Sequence, residues 1–344
     1  MVSIYQRLQH RRVTFDEVAA LSVEGVNKSP ITRAKQIAWD TVDCWLEKAA
    51  DSYRPKMEAP TWGSFNLMTQ DSNLWYNGLQ VGLLKRLSKG LQFQSSYTWS
   101  RVIGENQGNI QIEHGGAASP YNTDPWNRET ERGLELFDVT QVWKFNAIYR
   151  LPAFASSGGA ADKLLNGWWM GGILSLQSGQ PFSPALQSNR SRSGVGTFTQ
   201  IDRPDLGAGR TTSDIVKGTS AGCVGFPAGT PVGTVERYFD PCAFTIPPAG
   251  FLGTAGRNIL RGPGFANLDF SLVKDTALGF LGESGKLQFR AEIFNILNRP
   301  NFGLPDRTVF AGTADVQAPF GTAGQITRSL GASRQIQLAL KVIF

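Results

Sequence analysis

Taken two at a time, residues 334–344 separate into two faces. Ile336, Leu338, Leu340, Val342 and Phe344 share one, while Gln335, Gln337, Ala339, Lys341 and Ile343 share the other. That is the period of a strand with one apolar and one mostly polar side. The alternation recurs upstream. Segment 76–87 sets Leu79, Val81, Leu83 and Leu87 against Gln80 and Arg86, and after a turn at 88–90, segment 91–101 sets Leu91, Phe93, Tyr97 and Trp99 against Gln92, Gln94, Ser96 and Thr98. Segment 141–151 opposes Trp143, Phe145, Ala147 and Tyr149 to Lys144, Asn146 and Arg150, and segment 168–178 gathers Trp168, Met170, Leu174 and Leu176 on one face. Segments 267–274 and 286–295 repeat the pattern with Leu268, Phe270 and Leu272, then with Leu287, Phe289, Ala291 and Ile293. With the terminal segment, these predict seven strands.

Such strands suit either a soluble sandwich or a transmembrane barrel with lipid outside and water inside. The connections decide between them. They alternate between short (88–90, 152–167, 275–285) and long (102–138, 179–266, 296–333), which puts every long connection on one side of an up-and-down sheet. Outer-membrane barrels have this asymmetry, with short periplasmic turns and long outer loops. Trp99, Trp143 and Phe294 then fall near outer strand ends, and Tyr149, Trp168 and Phe344 near inner ends, as interfacial aromatic girdles require. Lys144, Arg150, Lys286, Arg290, Glu292 and Lys341 face a hydrated lumen as solvated wall residues. The expected fold is all-β: a partial antiparallel up-and-down transmembrane β-barrel of about seven strands with long extracellular loops.

The chain before this region has a different texture. Thr14 and Glu17 form a capping box, and Ser29 with Pro30 precedes Ile31, Ala34, Ala38, Val42, Trp45 and Ala49 at helical spacing. Residues 1–50 therefore read as a short α-helical segment, 51–73 as a linker and 74–344 as the barrel part. The helical segment resembles the small DNA-binding module of tyrosine recombinases, but no recombinase catalytic domain follows, so a helical appendage is the reading adopted.

Composition narrows the function. Charged residues make up 18% of the 344, while Gly (38), Phe (21) and Trp (9) are plentiful, a glycine-punctuated and aromatic profile. The net charge of +6 comes from scattered basic residues, so no nucleic-acid partner is expected for 74–344. No apolar run reaches the length of a transmembrane helix, and the first residues lack the apolar core of a secretory signal, so a truncated product is expected. Cys223 and Cys242, in a Gly/Pro-rich stretch, suit a loop disulfide in an oxidising compartment, with two free thiols as the other state; Cys44 stands apart.

No catalytic set emerges, and no enzyme activity or cofactor is expected. Glu129, Glu131, Glu135 and Asp138 read as a solvated loop interspersed with Arg128 and Arg132, and His10 and His114 lie in unrelated segments. Gly207, Gly209 and Arg210 miss the phosphate-loop spacing, and Asp202, Asp205 and Asp214 miss that of a calcium loop.

The stretches YNGLQVGLLKRLSKGLQFQSSYTWS, NGWWMGGILSLQSGQPFSP, GRNILRGPGFANLDFSLVKD and LQFRAEIFNILNRPNF, with the terminal RQIQLALKVIF, resemble the C-terminal barrel strands of TonB-dependent outer-membrane receptors. The resemblance is to the Oar-like group, which carries a carboxypeptidase-regulatory-like domain, and it runs in order from about Leu74 to Phe344. It implies a bacterial outer-membrane location, a barrel of about 22 strands, an N-terminal plug through which TonB acts, and uptake of an unidentified ligand. Plug, TonB-contact segment and regulatory domain have no counterpart in these residues, so TonB is expected to act only through a plug outside the chain. Ile336, Leu338, Leu340, Val342 and Phe344 resemble the C-terminal signal read by the barrel-assembly machinery. Outer-membrane lipid is the remaining expected partner. The alternative function is a surface structural or adhesion barrel without transport.

Overall fold

In the computed structural model, described here for residues 72–105, 127–156, 159–191, 202–282 and 285–344, seven long strands follow one another in chain order. They are β1 (Leu74–Ser88), β2 (Leu91–Gly104), β3 (Gln141–Arg150), β4 (Trp168–Gln177), β5 (Phe265–Ala277), β6 (Lys286–Phe294) and β7 (Gln335–Ile343). Each pairs antiparallel with the next, giving an up-and-down meander in which β1 and β7 are the two edges. The expected helices of 1–50, the linker up to 71, His10, Cys44 and His114 lie outside the described residues.

The strands form where the alternation predicts, with β5 longer than its apolar pattern alone suggests. β1 and β2 are joined by Lys89 and Gly90, both at positive φ (51° and 79°), the geometry of a tight hairpin turn that matches strand twist. Gly90 is required twice over, since a Cβ there would meet the Arg150 carbonyl oxygen at 2.5 Å.

Among the described residues, no second layer covers the apolar face of this sheet. Leu79 is 57% exposed, Leu338 66% and Leu340 67%. A soluble sandwich buries such residues; here the hydrophobic core lies elsewhere. The described residues of the two connections, 178–191 and 202–264 with 295–334, expected as long extracellular loops, fold together into a body at the outer end of the sheet, termed the cap. Phe182, Leu186, Ile215, Phe239, Ala243, Phe244, Ala255, Leu260, Val309 and Phe310 form its core, with Leu206, Tyr238 and Leu304 packed against it. A short parallel ladder of 185–186 with 308–310 ties the two connections together, and 181–182 pairs with 260–261 within the first. Each fully buried Phe or Leu contributes roughly 1.5–3 kcal/mol, which gives this Gly- and Pro-rich sequence the means to order itself. Cys223 and Cys242 are joined in a disulfide within the cap, with their Cα atoms 5.5 Å apart.

Candidate functional site: the polar face and its outer rim

Cross-strand neighbours in an antiparallel pair point to the same side, so the register assigns every strand residue to a face. Lys144 lies opposite Ser96 and Ser175, and Arg150 opposite Trp169. Lys286 lies opposite Ala277 and Ile343, Arg290 opposite Val273 and Ala339, Glu292 opposite Ser271 and Gln337, and Lys341 opposite Gln288. Followed across the sheet, these pairings put all six on one face, while Leu79, Phe93, Phe145, Leu174, Leu272, Phe289 and Leu338 occupy the other.

The polar face carries a connected strip across β4, β5 and β6. Trp169 Nε1 donates to Asp275 Oδ2 at 3.3 Å, Gln288 Nε2 donates to Asp275 Oδ1 at 2.7 Å, and Arg290 Nε donates to Gln288 Oε1 at 2.7 Å. Arg290 Nη1 also lies 3.8 Å from Glu292 Oε1. Nearer the outer end, Asp269 Oδ1 accepts from Asn267 Nδ2 at 2.8 Å and from the Asn295 backbone at 2.9 Å. Lys144 and Arg150, on β3, are exposed, and Arg150 borders this strip opposite Trp169.

Phe294, Lys85 and Lys274 are among the residues that depart from simple alternation. Phe294 pairs with Gln335 on the polar face, so it is not part of a lipid-facing aromatic ring. Lys85 and Lys274 stand on the apolar face, opposite Phe93 and Phe289. Both are close to inner strand ends and direct their ammonium groups to backbone oxygens: Lys85 Nζ to Ser88 O and Leu91 O at 3.3 Å each, and Lys274 Nζ to Asp275 O at 3.0 Å. Lys274 Nζ also lies 6.0 Å from the Trp168 ring centroid. Long basic side chains reach polar groups in this way while their stems stay on apolar surface.

At the outer rim the carboxylates expected in a solvated loop are buried instead. Glu129 remains exposed, but Glu131, Glu135 and Asp138 are 2%, 1% and 0% exposed. Each meets an arginine from the cap. Arg203 Nη1 lies 3.1 Å from Glu131 Oε1, Arg257 Nη2 lies 3.0 Å from Glu135 Oε1, and Arg261 Nη2 contacts Asp138 Oδ2. Asp138 Oδ1 also accepts the Val102 N–H of β2 at 2.7 Å, and Arg257 Nη2 donates to Gly104 O and Gly133 O at 2.6 and 3.0 Å. A Cβ on Gly104 would come 1.9 Å from Glu135 Oε1. Gly104 has the strand parity of Ser100 and Val102 on the polar face, so the Glu135–Arg257 pair sits over the polar side of the rim. Sequence reasoning missed these arginines, because their partners lie 72 to 123 residues away along the chain.

Burial dominates the electrostatics here. It raises the Glu135 carboxyl above its ordinary value despite the attraction of Arg257. It likewise raises Asp202, which accepts from the Ser191 backbone at 2.6 Å and from Ser191 Oγ at 2.9 Å. The other acidic and glycine-rich features have structural uses: Asp205 accepts from the Thr254 N–H, Asp214 closes a capping box with Thr211, and Arg210 pairs with Asp240 at 3.0 Å. Among the described residues, no group of three His, Cys, Asp or Glu side chains is placed to hold a metal, and no helix is long and apolar enough to cross a membrane.

A bare apolar face, a hydrogen-bonded polar face, and long connections gathered at one end define the wall of an outer-membrane β-barrel, which crosses lipid with strands. The family model of an outer membrane beta barrel domain matches residues 25–337, and the chain belongs to that family. The protein resides in the outer membrane. Comparisons with curated proteins and with solved structures find no match.

Proposed function

We propose that the chain forms the C-terminal part of the wall, with its outer cap, of a TonB-dependent transporter that takes up a bulky ligand. In this reading the cap receives ligand at the outer rim and the polar face lines its path. Energy from TonB reaches the wall through a plug outside these residues, and the chain itself performs no catalysis. The observation that carries the reading is a folded cap clamped by buried ion pairs over the polar side of a sheet whose two edges are unpaired among the described residues. A sheet open at both edges needs further wall, and a cap placed there meets whatever enters. Ile336, Leu338, Leu340, Val342 and Phe344 serve as the assembly signal: β7 is an edge strand whose unpaired backbone groups suit strand addition by the assembly machinery.

The test is to purify the natural product from outer membranes, map its peptides by mass spectrometry, and treat intact cells with formaldehyde to trap TonB. A plug in the same polypeptide and a TonB adduct are expected. A product with neither would instead favour a surface adhesion barrel.

A further inference from the structure

The arginines of the outer rim divide by side. On the polar side Arg203, Arg257 and Arg261 each meet a buried carboxylate. On the lipid side Arg101 and Arg132 are exposed, and neither forms an ion pair among the described residues. The register fixes their side. Arg101 follows Trp99 by two residues on β2, and Trp99 lies opposite Leu79 on the apolar face. Trp75 lies opposite Ile103, and Ile103 opposite Leu134, so these three share that face. The Arg132 guanidinium stands over the Trp75 ring, 4.8 Å from its centroid.

We propose that Arg101 and Arg132 bind the phosphate groups of a phosphorylated glycolipid of the outer leaflet, with Trp75 as the platform that positions Arg132.

Depth selects the headgroup as the partner. A strand crosses the hydrocarbon in about 9–11 residues. Counted from Leu91 at the inner end of β2, that span ends at Arg101. Trp99 and Trp143, on the same face, supply the interfacial aromatics just below it. Charge selects an anion. Glu105, the carboxylate nearest along β2, accepts from the Asn73 backbone and from Asn73 Nδ2 at 3.1 Å each, and Glu129 is exposed without an ion pair among the described residues. The basic residues at the inner end of the same face behave differently, since Lys85 and Lys274 spend their ammonium groups on backbone oxygens. Geometry selects phosphate. A guanidinium stacked on an aromatic ring keeps its N–H edge free, and that planar fork matches two oxygens of one phosphate group. The proposal rests on the outer-membrane placement and is independent of what the polar face transports.

The experiment uses the full natural product in phosphatidylcholine nanodiscs that contain bisphosphorylated lipid A, the same lipid after enzymatic dephosphorylation, or phosphatidylglycerol, and native mass spectrometry reads the lipid retained. Bisphosphorylated lipid A is expected to be retained in preference to the other two. Replacing Arg101 and Arg132 together by Gln should weaken that retention about tenfold, whereas replacing Lys144 and Lys341 of the polar face together by Gln should leave it unchanged. Heat-modifiable migration checks the folding of each variant. Equal retention of the dephosphorylated lipid, or of phosphatidylglycerol, by the unsubstituted protein would overturn the proposal without recourse to any variant. Full retention by the folded arginine variant, or an equal loss in the polar-face control, would overturn it as well.

Discussion

Glu135 concentrates the chemistry of the rim in one side chain. It is buried against Arg257, itself buried, and its carboxylate fills the space that a side chain at Gly104 would need. Glu135→Ala leaves a buried guanidinium without its counter-charge, a change expected to cost about 3–5 kcal/mol. The measurement is limited proteolysis of the cap, with membrane insertion retained. Gly104→Ala should produce the same loosening by pushing Glu135 aside. The pH dependence follows from the raised carboxyls of Glu135 and Asp202. An acid with a raised native pKa holds its proton more tightly folded than unfolded. Their contribution to stability is therefore full below their ordinary values, near pH 4, and is lost as pH rises through the native values. The contribution of these two groups should therefore fall between pH 4 and pH 7, and Glu135→Gln, which removes Glu135's share, should raise the cap's melting temperature at pH 7 relative to that at pH 4 when compared with the unsubstituted protein.

The two faces of a strand predict opposite responses to the same substitution. Leu338 faces lipid, and Leu338→Arg should cost roughly 2–4 kcal/mol at mid-depth, read as lost heat-modifiable, membrane-inserted product. The neighbouring Ala339→Arg enters the polar face beside Arg290 and should insert normally. In the cap, the disulfide closes a loop of the size for which loss typically costs about 3 kcal/mol. Replacing Cys223 and Cys242 together by Ser should increase protease access to the cap while leaving the strands inserted. Equal loss of insertion would show that cap and sheet fold as one unit.

For the molecule as a whole, the hydrophobic core and the membrane-spanning sheet are separate structures. The cap carries a protein-filled interior, whereas the sheet relies on lipid on one face and water on the other. Assembly then depends on edges and ends more than on a core. Phe344 is 90% exposed at the end of β7. Phe344→Ala should lower the fraction of product reaching the folded outer-membrane form, while Lys341→Ala, on the polar face of the same strand, should leave it near normal. Equal effects would argue against an assembly signal read from the apolar residues.

The sequence by itself determined the seven strands, their faces and the side on which the long connections lie. Alternation is local: Leu338, Leu340 and Val342 announce a strand without reference to anything distant. It determined the polar face for the same reason, because Lys144, Arg290 and Lys341 keep the opposite parity. Only the tertiary structure decided that the long connections form a cap and that Glu131, Glu135 and Asp138 are buried. The cap core gathers Phe182, Phe239 and Val309 from separated stretches, with no period to betray them. The buried carboxylates owe their state to Arg203, Arg257 and Arg261, far along the chain. Periodicity reports what a residue's immediate backbone requires; burial and pairing depend on which distant segments arrive beside it.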